Sequence, residues 1–257
     1  MAVLGGGVAV VIPARDEAER IAATVHAALT IPAVEVVIVV SDASRDATVA
    51  IARAAGAVVV EGLVHRGKAA AMVAGAEAVA VLDQAEGHRI PRHLLFLDAD
   101  LRGSAVLAAA LLPPVLHNEV DMTIANLPLT TPGGGHGLAV GLARYGIRAT
   151  TGWVPRQPLS GQRCLTREAF DRSRPLAHGF GVETALTIDL IRAGLRVREV
   201  ETGLSHRVTG TAWRAQMHRG LQFVHVGRAL AARALPRSLL DVTRRVRHVP
   251  VPTRAST

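Results

Sequence analysis

Leu94-Leu95-Phe96-Leu97-Asp98-Ala99-Asp100 is the stretch on which the fold turns. Four large apolar residues in a row read as a short strand buried on both faces, as in parallel sheets. Two acids separated by Ala99 follow at once. Strand side chains alternate faces, so residues two apart point the same way. If strand geometry persists through Asp100, both carboxylates enter the crevice at the carboxyl ends of the strands, where open α/β sheets hold their ligands. Two carboxylates there repel unless a proton or cation is shared. A hard divalent ion that bridges to phosphate oxygens satisfies both. Taken alone, Asp-x-Asp also reads as a solvated acidic turn, so the flanking sequence bears on the choice.

Upstream, three more apolar runs alternate with helical patterns. Val8–Ile12 is a β-branched strand closed by Pro13. Glu17–Leu29 has helical periodicity, with Ile21, Val25 and Leu29 on one face. Val34–Val40 is a second strand, followed by Asp42, Ser44 and a helix from Asp46 to Ala55 that Gly56 ends. Ala57–Val60 is a short third strand. Gly67 and Lys68 open an alanine-rich helix to Leu82, and a polar connection, Asp83–His93, leads into the Leu94 strand. This alternation predicts a doubly wound, mostly parallel α/β sheet flanked by helices.

Downstream the pattern loosens. Ser104–Leu112 reads as a helix stopped by Pro113 and Pro114, and Asp121–Ala125 as a strand. Thr130–Gly137 (TTPGGGHG) reads as a flexible loop, Gly141–Thr151 as a short helix, and Trp153–Leu165 as an ordered loop leading to a strand. Val182–Ala193 is helical, Arg196–Val200 a strand, and His206–Gly210 a loop. A long arginine-rich amphipathic helix or helix pair spans Trp213–Arg247, with a disordered tail after Pro250.

The composition narrows the function. The chain has 257 residues, enough for one large domain, and is 49% hydrophobic but only 3% aromatic, which suits helices packed on a sheet. Its net charge of +8 points to nucleic acid, an anionic membrane surface or phosphorylated small molecules. Zinc-finger spacing, RNA-binding aromatic signatures and basic heptads are missing, so nucleic acid is not an expected partner. Lys68 is the only lysine among 29 basic residues, which singles it out. Cys164 is the only cysteine, which excludes an intramolecular disulfide and suits a reducing compartment. With neither a signal-peptide opening nor an apolar run long enough for a membrane span, a cytoplasmic location is expected.

Four motifs in order resemble the family 2 glycosyltransferases of the GT-A fold. PARDEAERI (from Pro13) resembles the family's Pro-x-x-Asn-Glu-Glu opening, and SDASRDAT (from Ser41) its Asp-Asp-Gly-Ser-x-Asp-x-Thr signature. GKAAAM (from Gly67) resembles its Gly-Lys-Gly element and LFLDAD its Asp-x-Asp. The resemblance spans about residues 8 to 225. Four departures stand out: Asp16 for the opening Asn, Ser41 for the first acid of the second motif, Ala43 for its glycine, and Ala69 for the second glycine of Gly-Lys-Gly. In the second half PLSGQRCL, GFGVETALTIDL and LSHRVTG are similar to a narrower group, the glucosyl-3-phosphoglycerate synthase-like sugar-phosphate transferases. The resemblance implies one GT-A domain over residues 1–250, with a nucleotide-binding half at 8–103 and an acceptor and sugar half at 104–225. The basic helical region at 213–247 and the tail at 251–257 follow.

The resemblance also implies roles. Pro13, Ala14, Arg15 and Glu17 would border the nucleotide, with Glu17 on a ribose hydroxyl, although Asp16 and Glu17 also simply favour a helix N-terminus. Asp42 would accept the uracil imide N–H; capping the following helix is its other reading. Gly67 and Lys68 would meet the donor's diphosphate at a helix mouth. Asp100 would bind a divalent metal, Mg²⁺ or Mn²⁺, Asp98 would assist it or hold the sugar or ribose, and Ala99 between them would border the donor. His206 would be a third metal ligand, which suits Mn²⁺ better than Mg²⁺, or else a polar loop residue. Leu159, Ser160 and Gly161 would line donor sugar and acceptor, Glu183 would contact sugar hydroxyls, and Arg207 would reach the diphosphate or an anionic acceptor.

The implied reaction moves a glucose-type sugar from a UDP-sugar to a phosphorylated or lipid-linked acceptor. Lys68, the metal and Arg207 would stabilise the leaving diphosphate. Glu183 is the one base to name for an inverting enzyme; in a retaining one the leaving diphosphate could take the acceptor proton. The basic C-terminal residues Arg214, Arg219, Arg228, Arg233, Arg237, Arg244, Arg245 and Arg247 leave three readings: a phosphorylated acceptor held by arginines, peripheral docking on an anionic membrane beside a polyprenyl-phosphate acceptor, or a solvated face. The same helix could pair with its copy in a homodimer. A sugar-nucleotidyltransferase is the nearest competing enzyme, but its glycine-rich loop follows the first strand, whereas Gly5–Gly7 precede it here. A dinucleotide-binding oxidoreductase fails on the same placement. A non-catalytic nucleotide-sugar-binding protein would bind donor without turnover.

Overall fold

A computed structural model describes residues 6–128, 137–204 and 223–233. β-Branched runs make the central strands. β1 (Val8–Ala14) lies between β2 (Val34–Asp42) and β4 (His93–Phe96), parallel to both, and β3 (Val58–Gly62) edges β2. β6 (Arg163–Leu165) runs antiparallel between β4 and β5 (Met122–Asn126), and β7 (Val197–Glu201) closes the far side parallel to β5. The order β3-β2-β1-β4-β6-β5-β7 is a mostly parallel, seven-stranded sheet.

Alternation along β1 builds two cores. Val8, Val10 and Ile12 pack under α1 (Ile21–Leu29), α2 (Thr48–Ala54) and a 3₁₀ segment, Arg102–Leu111. Ala9 and Val11 pack on the opposite face under α3 (Lys68–Ala85), α6 (Arg167–Arg172) and α7 (Val182–Arg192). Phe96 meets Phe170 of α6 at 5.4 Å between ring centroids. Each buried Val, Leu, Ile or Phe contributes about 1.5–3 kcal/mol of burial free energy, so this two-sided packing is the main support of the sheet.

The structure corrects several expectations. Ladder pairing of the Leu94 strand ends with Leu97 N donating to Val11 O, so Asp98 and Asp100 sit in the turn beyond it, and two-residue alternation does not place them. The helix expected at Ser104–Leu112 is the 3₁₀ segment Arg102–Leu111. That segment ends just before Pro113 and Pro114, which also begin the short α4 (Pro113–Leu116), where a missing N–H has no intrahelical partner to lose. Leu29 is 40% exposed, and Ala28 takes its place in the core. α5 (Leu138–Thr151) begins earlier than Gly141, and α6 follows from its Thr166 cap, whose hydroxyl accepts from Ala169 N.

Of the C-terminal basic region, residues 223–233 are helical, and the rest of Trp213–Arg247 lies outside the described residues. So do most of the TTPGGGHG loop, the His206–Gly210 loop and the tail. Arg233 is largely buried and paired with Asp189 of α7, so its charge tethers this helix to the domain. No helix among the described residues is long and apolar enough to cross a membrane.

Cys164 is buried in β6, and burial pushes its thiol pKa up to about 12 from 9.0. The folded state then holds this proton over a range where the unfolded chain releases it, so stability falls as pH rises above 9 towards 12. Iodoacetamide at pH 8 should leave the native protein unlabelled and modify Cys164 only after denaturation, as read by intact mass.

Candidate active site

The crevice lies at the carboxyl ends of β1, β2 and β4. Its first two loops are laced together. Glu17 N donates to Thr48 Oγ1 at 2.8 Å, Ala18 N to Asp46 Oδ2 at 3.1 Å, Asp16 N to Ser44 Oγ at 3.2 Å, and Arg45 N to Asp16 Oδ1 at 2.7 Å. Two departures from the family pattern fall in these loops, at Asp16 (φ +55°) and Ala43 (φ +58°). Both hold left-handed conformations that Gly and Asn accept most readily, Asp less so, and Ala at a cost. Asp16 recovers part of that cost through its bond from Arg45 N. Pro13 and Ala14 pair in register with Val40 and Ser41, which puts the exits of β1 and β2 side by side. Arg15 is exposed.

Glu17 is ion-paired with Arg20 at 2.8 Å, and Arg20 also feels the charge of Asp100. Asp42 does not cap α2, whose first amide, Thr48 N, donates to Asp46 Oδ1 at 2.9 Å. Asp42 instead gathers the β3–α3 loop: Arg66 N at 2.7 Å, Gly67 N at 2.8 Å and His65 Nδ1 at 2.7 Å. Gly67, at φ +86°, makes the turn that lets its amide face this carboxylate. A uracil N–H would therefore have to share an oxygen that already has a partner.

Lys68 is the first residue of α3, and its Nζ lies 2.8 Å from Asp98 Oδ1 and 2.9 Å from Glu183 Oε1. Burial works against the ammonium, but the two carboxylates outweigh it and hold its pKa above the ordinary lysine value. Asp98 has a donor on each oxygen, because Gln162 Nε2 reaches Oδ2 at 2.6 Å. The acidic turn itself is pinned by buried Thr24, whose hydroxyl donates to Ala99 O and accepts from Arg102 N, each at 2.8 Å. Glu183, 8% exposed, stands in the first turn of α7.

The segment before β6 closes over this cluster. A Cβ on Gly161 would lie 2.5 Å from Lys68 Nζ and 2.8 Å from both Asp98 oxygens. Ser160, buried behind it, donates to Gln162 Oε1 at 3.2 Å, and Leu159 is half-buried. The structure thus brings Lys68, Asp98, Gly161 and Glu183 into contact and keeps Glu17 and Asp42 in neighbouring loops. His206 and Arg207 lie outside the described residues. Sequence reading did not single out Gln162 and Thr24. Gln162 stood within a quoted motif, whereas Thr24 looked like any polar residue in a helix.

The acid pair after a central parallel strand and the cation at a helix mouth suit a nucleotide-sugar donor, and comparison with known proteins shows a nucleotide-sugar-dependent glycosyltransferase. The family model described as glycosyl transferase family 2 matches residues 9–146, more than half of the chain, which therefore belongs to that family. Several solved structures of glucosyl-3-phosphoglycerate synthase from Mycobacterium tuberculosis are similar. One, in complex with phosphoglyceric acid, is 28% identical with a TM-score of 0.71, covering 90% of this chain and 81% of that one. Another, with Mn²⁺, UDP and glucosyl-3-phosphoglycerate, is 26% identical with a TM-score of 0.69 and the same coverage. A third, with Mn²⁺, UDP-glucose and phosphoglyceric acid, is 26% identical with a TM-score of 0.68, covering 88% and 80%. Comparison with curated proteins returns no match.

Proposed function

We propose that this enzyme transfers a glucose-type sugar from a UDP-sugar to a hydroxyl of a phosphorylated small molecule. The Lys68–Asp98–Glu183 cluster under Gly161 carries the reading, with support from the similarity to synthases crystallised with UDP-glucose and phosphoglyceric acid. Glu17 would hold the ribose, and the loop gathered by Asp42 would meet the base. Gly67 and Lys68 would face the diphosphate, because a helix N-terminus and an ammonium both favour an anion. As the donor binds, Lys68 can turn hydrogen bonds from its two carboxylates to a phosphate oxygen and stabilise the charge that develops there. That shift would release Glu183 to contact the sugar or acceptor hydroxyl.

A divalent cation is part of the proposal. No group of three His, Cys, Asp or Glu side chains among the described residues is arranged to hold one. Asp98 and Asp100 in one turn still suit the mode in which one or two carboxylates bind the ion and substrate phosphates complete its shell. Asp100 would be the main ligand, with Asp98 and His206 assisting. Bound there, the ion would neutralise the leaving diphosphate.

Calorimetric titration with UDP-, GDP- and ADP-sugars, with Mn²⁺, Mg²⁺ or EDTA, tests this. One UDP-sugar should bind in a metal-dependent manner, and Asp100→Ala should weaken that binding by more than about tenfold, since even indirect support of a bound metal is worth about tenfold to a hundredfold. Metal-independent binding, or binding of no nucleotide sugar, would overturn the proposal.

A further inference from the structure

Arg163 is 1% exposed and among the largest fully buried side chains, and the PLSGQRCL motif that contains it gave it no role. Its guanidinium donates through three nitrogens: Nε to Ser160 O at 2.8 Å, Nη2 to Pro158 O at 3.1 Å, and Nη1 to Thr187 Oγ1 at 2.8 Å. Two of these acceptors belong to the segment that carries Gly161 and Gln162. The third belongs to α7, one turn after Glu183, and Thr187 Oγ1 in turn donates to Glu183 O at 2.9 Å. Arg163 therefore ties together the two elements that meet at Lys68. Glu199 braces the start of the same segment by accepting from Arg156 N and Gln157 N, each at 2.8 Å.

Its charge is the odd feature. All three acceptors are neutral, and the balancing charges of Glu183 and Glu199 act from farther away. Burial lowers the guanidinium pKa to about 10 against the pull of those two carboxylates. A buried cation without a contacting anion is a net cost to folding, and an apolar side chain of similar volume often does better. What an apolar residue lacks is a planar fork that fixes three acceptors at once.

We infer that Arg163 is a positioning residue for transfer: it fixes the Pro158–Gln162 segment against α7, so that Gln162 and Lys68 hold the Asp98 carboxylate from two sides beside Glu183. This rests on the proposed reading of the site. The nucleotide would bind chiefly through the β1, β2 and α3 loops, which Arg163 does not touch. Its loss should therefore fall on kcat rather than on nucleotide affinity.

The test compares wild type with Arg163→Met, Arg163→Lys and Thr187→Val, reading UDP affinity, kcat and KM, thermal stability, and amide exchange over residues 155–162. In Arg163→Met those amides should exchange faster, UDP affinity should stay within about threefold, and kcat of the folded enzyme should fall about thirtyfold or more, the scale of loss from a small misplacement. Arg163→Lys restores charge without the fork and should recover less than about a third of the kcat loss on a logarithmic scale. If Arg163→Met keeps wild-type kcat while only stability drops, the residue is merely structural and the inference fails. Should that variant not fold, Thr187→Val frees one arm of the fork; faster exchange with a reduced kcat supports the inference, and no change in either overturns it. If wild type turns over no nucleotide sugar, the proposed function fails instead, and the exchange data still show whether Arg163 holds the segment.

Discussion

Lys68→Met is expected to lower sugar transfer by about a hundredfold to a thousandfold, the scale seen when one preorganised donor to a developing anion is removed. Nothing else among the described residues stands within ion-pair distance of both Asp98 and Glu183. Without the ammonium these two carboxylates lose the cation they share. Breaking a fully buried pair costs about 3–5 kcal/mol. Lys68 and Asp98 keep 27% and 30% of their side-chain surface in water, so screening reduces the expected loss to about 2 kcal/mol. Steady-state rates together with denaturant unfolding separate the two effects. A variant that loses stability but keeps its rate would remove Lys68 from the chemistry.

Gly161→Ala is expected to damage the reaction more than the fold. The added methyl would meet Lys68 Nζ at 2.5 Å and the Asp98 carboxylate at 2.8 Å. These are ends of side chains, which can move, and the backbone of Gly161 is not in the left-handed region that would strain alanine. Stability should therefore fall by only about 1–2 kcal/mol, the lower part of the usual cost of overpacking. The cation and carboxylate must separate or turn, so kcat should fall about a hundredfold, a loss typical of a displaced catalytic group. Thermal melts and initial rates at saturating donor check both parts. An alanine variant with wild-type kcat would show that the contact is not needed for transfer.

Residues 8–103 were legible because each strand there is a continuous apolar run and each crossover begins or ends at Gly, Pro or Asp. Beyond residue 103 the runs that form β5, α7 and β7 were legible, and β6 and the 3₁₀ segment were harder to read, for local reasons. β6 has three residues, one of them the buried Arg163, so hydrophobic periodicity had little to act on. The 3₁₀ segment before α4 shares its composition with an α-helix. The candidate site was legible as a set of motifs, and Lys68 stood out as the only lysine. What no motif conveyed was the pairing: that Lys68 is shared between Asp98 and Glu183, and that Asp42 faces the β3–α3 loop. Such contacts join residues far apart in the chain, and tertiary packing rather than local spacing decides them.

Product formation tests the central claim most directly. Wild-type enzyme incubated with UDP-glucose, Mn²⁺ and 3-phosphoglycerate or another phosphorylated hydroxy acid should release UDP and add one hexose to the acceptor, as read by mass spectrometry, and EDTA or Lys68→Met should suppress both. Binding of UDP-glucose without hexose transfer to any phosphorylated or lipid-linked acceptor would contradict it and leave a nucleotide-sugar-binding protein in place of the transferase.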